Sequence, residues 1–213
     1  MQAGNPRWRR RAEARPGEIV QAAFEVFAEK GFAAAKLDEI AARAGISKGA
    51  LYLYFETKED IFRAVVREAV VPNLDAVEFT LDNAAMPFPD LLRMLFVRLA
   101  LMIQASRIGA VAKLVIGESR NFPELARVWH DEVVSRALTA LTKALARAQA
   151  RGEVRIGDPH LQAFSIMGPI LMGMIWQETF APIGAPPLDV HGLITQHRET
   201  ILAGLAPQVV MLP

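Results

Sequence analysis

Apolar residues recur along this chain at three- and four-residue spacing, the period that gathers side chains on one face of an α-helix. Ile19, Ala22, Ala23, Val26 and Phe27 form the first such stripe, in a helix predicted from about Pro16 to Lys30 and stopped by Gly31. Two short helices are predicted next, at 37–44 and 48–54. A longer one follows at 57–82, capped by Thr57 and kinked or split by Pro72. Further helices are predicted at 90–106, 109–118, 122–151, 158–180 and 189–204, with Asn121 and Glu124 as reciprocal caps of the third of these. Strand-like alternation bounded by turn pairs is missing. The chain is therefore expected to be all-α, with about nine helices.

Leu37 to Tyr54 reads LDEIAARAGISKGALYLY. Two helices that cross closely need a small residue at the crossing, and Ala41 is small. The tight turn between them needs a residue that accepts positive φ, and Gly45 stands four residues later. An aliphatic residue must pack back from the second helix, which suits Leu51. Ile40, Ala44 and Ile46 complete the small core, and Ser47 is placed to cap the second helix. These positions predict a helix-turn-helix. Lys48, Gly49, Ala50, Tyr52 and Leu53 are then left pointing outward. Lysine can meet a guanine edge or a phosphate, tyrosine can meet a phosphate or a sugar, and the small pair leaves room for close approach in a major groove. A plain helical hairpin would use Ala and Gly for packing alone. The serine cap and the Lys/Tyr outer face favour the DNA reading.

Composition adds a charge asymmetry. The chain has 213 residues, 52% hydrophobic and 22% charged, with a net charge of +1. Residues 1–15 hold five arginines (Arg7, Arg9, Arg10, Arg11 and Arg15) against Glu13, a flexible basic arm of net charge +4 by expectation. It is either a tracker of phosphates and the minor groove or a solvated terminus, and Trp8 within it has no evident role. Glu13, Arg15 and Glu18 interrupt the apolar run that a signal peptide would need. There is no cysteine, which excludes disulfides and thiolate metal sites and fits a reducing cytoplasm, the expected location. The longest apolar stretch, Ile166 to Trp176, has 11 residues interrupted by Gly168, Pro169 and Gly173, whereas a membrane span needs roughly 20. No membrane association is expected.

Catalytic patterns are not found. His130, His160, His191 and His197 have no metal-ligand spacing, and neither a phosphate-binding glycine loop nor a G-x-S-x-G turn occurs. No metal, no cofactor and no enzymatic activity are expected.

Phe24–Phe62, and in particular EKGFAAAKLDEIAARAGISKGALYLYFETKEDIF, resembles the DNA-binding domain of the tetracycline-repressor (TetR) family. The resemblance implies DNA contacts from Ser47, Lys48, Gly49, Ala50, Tyr52 and Tyr54, and a phosphate contact from Lys58. Lys36 stands where the family usually has Thr or Ser, so a capping hydroxyl is exchanged for a candidate charged contact. The implied organisation is a basic arm and three-helix helix-turn-helix domain over 1–62, then a helical-bundle ligand-binding and dimerisation domain over 63–213. The implied function is a transcriptional regulator, by family default a repressor. It would bind double-stranded DNA at a palindromic operator as a homodimer and leave it when a small-molecule effector binds.

Among the large, adaptable apolar residues of the second part, Phe96, Met102, Phe122, Trp129, Met167, Met172 and Trp176 are the candidate lining for a hydrophobic or aromatic effector. Large apolar residues at helical spacing are more often core, and core is the favoured reading for any one of them. Gly168, Gly173 and the 189–204 stripe of Val190, Leu193, Ile194, Ile201 and Leu205 suit an intermolecular four-helix bundle, which a symmetric DNA reader favours over an intramolecular hairpin. Two rival readings stand beside the favoured one. They are a dimeric DNA-binding regulator without an effector, and a helical metabolite-binding enzyme or carrier.

Overall fold

The structure, a computed structural model, describes residues 6–105 and 108–207. The side chains of the arginine-rich start lie outside the described residues. Eleven α-helices are described: α1 Pro6–Ala34, α2 Leu37–Arg43, α3 Lys48–Tyr52, α4 Lys58–Ala69, α5 Val71–Asn83, α6 Phe88–Ala105, α7 Ile108–Glu118, α8 Pro123–Trp129, α9 Ser135–Ala150, α10 Pro159–Ile175 and α11 Val190–Leu205. No strand occurs among the described residues. No single helix there is long and apolar enough to cross a membrane.

Helix boundaries differ from the sequence expectation where local chemistry competes. Helix α1 begins at Pro6 rather than Pro16, because Arg, Ala and Glu in the first 15 residues are strong helix formers. Pro16 sits inside the helix, where its missing N–H removes one backbone bond. Gly31 breaks α1 at φ 77°. The segment expected at 57–82 divides at Val70, just before Pro72. A π-helical turn at His130–Val134 separates α8 from α9, and a second at Trp176–Phe180 follows α10. Asn121 does not cap α8. Pro123 takes the first helical position, which makes Phe122 the cap residue, with no side-chain bond.

Two apolar cores are joined end to end. The first gathers α1 to α4 around Phe27, Phe32 and Phe62, whose ring centroids lie 5.2–6.3 Å apart. It continues past residue 62 into Val65, Val66, Val111, Val115, Leu125 and Val128, so α7 and α8 share the core of the N-terminal helices. The second packs α6, α9, α10 and α11 around Phe88, Phe96, Leu145 and Ile166. Arg136 on α9 ties this region to α5 through Asp75 and Glu78.

Helix α11 turns its apolar side inward. Ile194 and Leu205 are buried, Val190 and Ile201 pack on the same core, and Leu193 lies 3.2 Å from where a Cβ on Gly173 would stand. Within the chain, this stripe and Gly173 pack α11 against α10. Exposed apolar side chains line up on α10 (Leu161, Phe164, Leu171 and Met172, with open space at Gly168) and on α6 (Met94, Val97 and Leu101).

Candidate functional site

The helix-turn-helix is built as its side chains require. Ala41 is 2% exposed at the crossing, Ile40 and Leu51 are fully buried, and Gly45 adopts φ 67°. Ser47 Oγ accepts a hydrogen bond from the Ala50 N–H at 3.1 Å. The Ile46 N–H donates to the Ala41 carbonyl and closes the turn. Two ion pairs clamp α2 on α1: Arg43 to both carboxylate oxygens of Glu29, and Lys30 to Glu39 at 2.7 Å. Hydrogen bonds from Arg43 hold Glu29 below the usual carboxylate range, and Lys30 does the same for Glu39.

Burying Leu51 forces the opposite side of α3 into solvent. Ser47, Lys48, Gly49, Tyr52, Leu53 and Tyr54 are exposed and Ala50 is partly so, while Lys36 is exposed at the start of α2. Helix α3 stops at Tyr52, and Tyr54 follows in a turn whose N–H donates to the Leu51 carbonyl. Lys36 caps α2 with its backbone only. Lys48 is paired with Asp38 on α2 at 3.0 Å, which raises its pKa.

Lys58 departs from the sequence expectation. Its ammonium points inward and donates to the carbonyls of Phe32, Ala33 and Ala35, so all three donors are used. It also lies 4.4 Å from the Phe32 ring centroid. Burial lowers its pKa. Lys58 thus satisfies carbonyls of the segment that follows the Gly31 break and leads into α2. The same segment is held from the other side by Glu118 at the end of α7, which accepts from the Ala33 N–H at 3.2 Å.

A cavity of about 140 Å³ lies between α5, α6, α9 and α10. Of the residues named from the sequence, Phe96, Met102 and Met167 line it, with Leu74, Leu95, Leu141, Ile166 and Met174. Phe122 and Trp129 do not. They pack on the N-terminal core, where Phe122 meets Phe32 at 5.0 Å, because the chain turns at Pro123 towards that end. Met172 is exposed on the outer face of α10. Trp176 is drawn away by its indole N–H, which donates to the Pro186 carbonyl. Asn73, which sequence reasoning passed over, is the one polar residue in the lining. A second, more polar cleft of about 470 Å³ lies among α1, α4 and α7 and includes Glu118, Lys113 and Glu178.

No metal-binding cluster occurs among the described residues. Two family models match the chain: bacterial regulatory proteins of the tetR family over residues 19–65, and the AefR-like transcriptional repressor C-terminal domain over residues 90–189. The chain belongs to the TetR family. It is a DNA-binding transcriptional regulator with a helix-turn-helix. The fatty acid metabolism regulator protein of Bacillus subtilis (strain 168) is 27% identical over 72% of this chain and 78% of its own length. The transcriptional repressor BepR of Brucella suis biovar 1 is 32% identical over 64% of this chain and 66% of its own. Among solved structures, a putative TetR-family transcriptional regulator from Mesorhizobium loti MAFF303099 superposes with a TM-score of 0.73 at 26% identity. It covers 92% of this chain, which covers 98% of that one.

Proposed function

We propose that this regulator is a cytoplasmic, non-enzymatic repressor that binds a palindromic operator as a homodimer and is released by a small hydrophobic or aromatic effector. In this reading residues 1–62 recognise DNA and residues 63–213 bind the effector and the second copy. The observation that carries the DNA half is the outward Ser47–Tyr54 surface, held by a fully buried Leu51. Ser47, Lys48, Gly49, Ala50, Tyr52 and Tyr54 contact the duplex, with Lys36 as a flanking phosphate contact. The effector half rests on the apolar cavity, which is close to the roughly 150 Å³ that holds a benzene ring.

Helix α4 connects the two halves. It starts at Lys58, shortly after the recognition helix, and ends at Ala69, whose neighbour Val70 lines the cavity. An effector that binds the DNA-incompetent arrangement more tightly shifts the population away from the operator. Coupling of about 1–3 kcal/mol suffices. The second copy docks on the exposed apolar face of α10, which sets the two reading helices about 34–36 Å apart.

The test is a binding titration on operator DNA selected from random duplexes. Lys48→Ala and Tyr52→Ala are expected to lose selective binding while the fold and the dimer persist in sedimentation. Full operator affinity in both variants would overturn the DNA-contact assignment.

A further inference from the structure

Leu51 and Leu53 stand two residues apart on the recognition helix and its closing turn, in opposite surroundings. Leu51 is fully buried, whereas Leu53 is 83% exposed. The backbone at Leu53 is still helical, at φ −71° and ψ −19°. Two helical steps turn a side chain through about 200°, so burying Leu51 sends Leu53 straight outward. Leu53 lies one turn after Gly49 and Ala50 and shares their face. A Cβ on Gly49 would meet nothing nearer than Ser47 Oγ at 4.0 Å, and Ala50 carries only a methyl. This face is therefore low and open at its start, and Leu53 is its one bulky apolar group. Leu53 joins neither apolar core. Single leucines on a surface are common and need no partner. The place of this one is different. It projects from the helix-turn-helix of a DNA-binding regulator, between the exposed rings of Tyr52 and Tyr54.

We infer that Leu53 is a specificity residue that reads a thymine methyl in the major groove of the operator. This rests on the Ser47–Tyr54 surface being the DNA contact. Leucine has no donor or acceptor for a base edge and no charge for a phosphate. The one apolar group that a base pair presents in the major groove is the C5 methyl of thymine. Contact hides that methyl and the leucine side chain from water together. A cytosine in its place presents an amino group, which leucine would desolvate without pairing. Lys48 and Tyr52 can hold phosphate, sugar or a guanine edge, whereas Leu53 acts on sequence alone.

The experiment uses operator duplexes that the full-length protein selects from random DNA. Thymines are replaced one at a time by deoxyuridine, which removes the methyl and keeps the base pair. At one or more of them the parent protein is expected to lose about three- to fivefold in affinity. Leu53→Ala is expected to bind the thymine and deoxyuridine duplexes alike at that position. Its salt slope should match the parent's, because no charge is removed. The deoxyuridine series on the parent needs no variant, so it stands whatever the substitution does to the fold. A selected site without a T·A pair, no loss at any deoxyuridine, or a loss that persists in full in Leu53→Ala would overturn the role of Leu53. In that event, loss of selective binding in Lys48→Ala and Tyr52→Ala would leave the surface in place and remove Leu53 alone. Full binding in both would remove the surface as well.

Discussion

Lys48 Nζ lies 3.0 Å from Asp38 Oδ1, so the cation at the start of the recognition helix is held by a carboxylate on the helix before it. Both side chains are more than half exposed, and an exposed pair of this kind is worth about 0.2–1 kcal/mol. DNA binding must break or share it. Asp38→Asn is therefore expected to tighten DNA binding about two- to fivefold at low salt, with the gain shrinking as salt screens the pair. Lys48→Ala is expected to weaken binding and to lower the salt slope by about one. Fluorescence anisotropy across a salt series checks both. Unchanged affinity in Asp38→Asn would show that Lys48 does not reach the duplex.

The inward ammonium of Lys58 makes the opposite prediction. Three carbonyls lose their donor when Lys58 is replaced by Met, at a cost of about 1–3 kcal/mol in urea denaturation. The salt slope of DNA binding should stay where it was. A slope that falls by one while stability holds would return Lys58 to the phosphate-contact role.

The crossing of α2 and α3 tolerates little. Ala41 is 2% exposed between the helices, and Leu in its place overfills the site at a cost of about 1–3 kcal/mol. Gly45 is different. A Cβ there meets nothing within 4 Å, so Gly45→Ala is strained only by its φ of 67° and should cost about 1–2 kcal/mol. Thermal unfolding is expected to rank Ala41→Leu at or below Gly45→Ala. The reverse order by a wide margin would mean that the helices do not cross at Ala41.

Local rules in the sequence reached the helix-turn-helix because every decision there is made within 18 residues: a small residue, a turn glycine, a cap and a returning leucine. Ser47 and Thr57 are side-chain caps for the same reason. The rest was decided over longer distances. The family resemblance implied a phosphate contact for Lys58, and nothing local shows that the carbonyls of Phe32, Ala33 and Ala35 lie beside it. Phe122 and Trp129 have the chemistry of pocket residues, but which end of the molecule they cover depends on where α8 lies. The stripe on α11 was visible as a stripe, but that it packs on the core beside α10 depends on where both helices lie. Asn73 was missed because one asparagine among apolar residues carries no signal until the cavity around it is seen.

Glu153 gives a prediction in pH. Its carboxylate takes a salt bridge from Arg151 and also accepts from the Phe88 N–H at 2.8 Å, holding the start of α6 against the end of α9. The Arg151 guanidinium first, and then the Phe88 N–H, lower its pKa from 4.5 to about 2. A carboxylate with a depressed folded-state pKa stabilises the fold above its unfolded value and loses that contribution as pH falls through the folded one. Stability is therefore expected to decline between about pH 4.5 and pH 2. Glu153→Gln should start lower at neutral pH and fall less steeply across that window. Parallel curves for the two proteins in acid urea titrations would remove Glu153 from this role.

Ala137 on α9 faces the cavity and offers a way to close it without touching the DNA-binding surface. Leucine there adds apolar volume to a space of about 140 Å³, so Ala137→Leu should be stabilising by about 0.5–2 kcal/mol, as cavity-filling changes often are. In ¹³C-methyl-methionine protein, the probe toluene should shift the methyls of Met102, Met167 and Met174 in the parent but not in the variant. Affinity for selected operator DNA should stay within about twofold of the parent. The combination matters more than either result alone. A protein that is stabilised, still binds DNA and is blind to the probe has its effector space between α5, α6, α9 and α10. Loss of DNA binding on filling the space would instead mean that the cavity is needed for the DNA-competent arrangement, as in a regulator whose body serves only to hold the dimer.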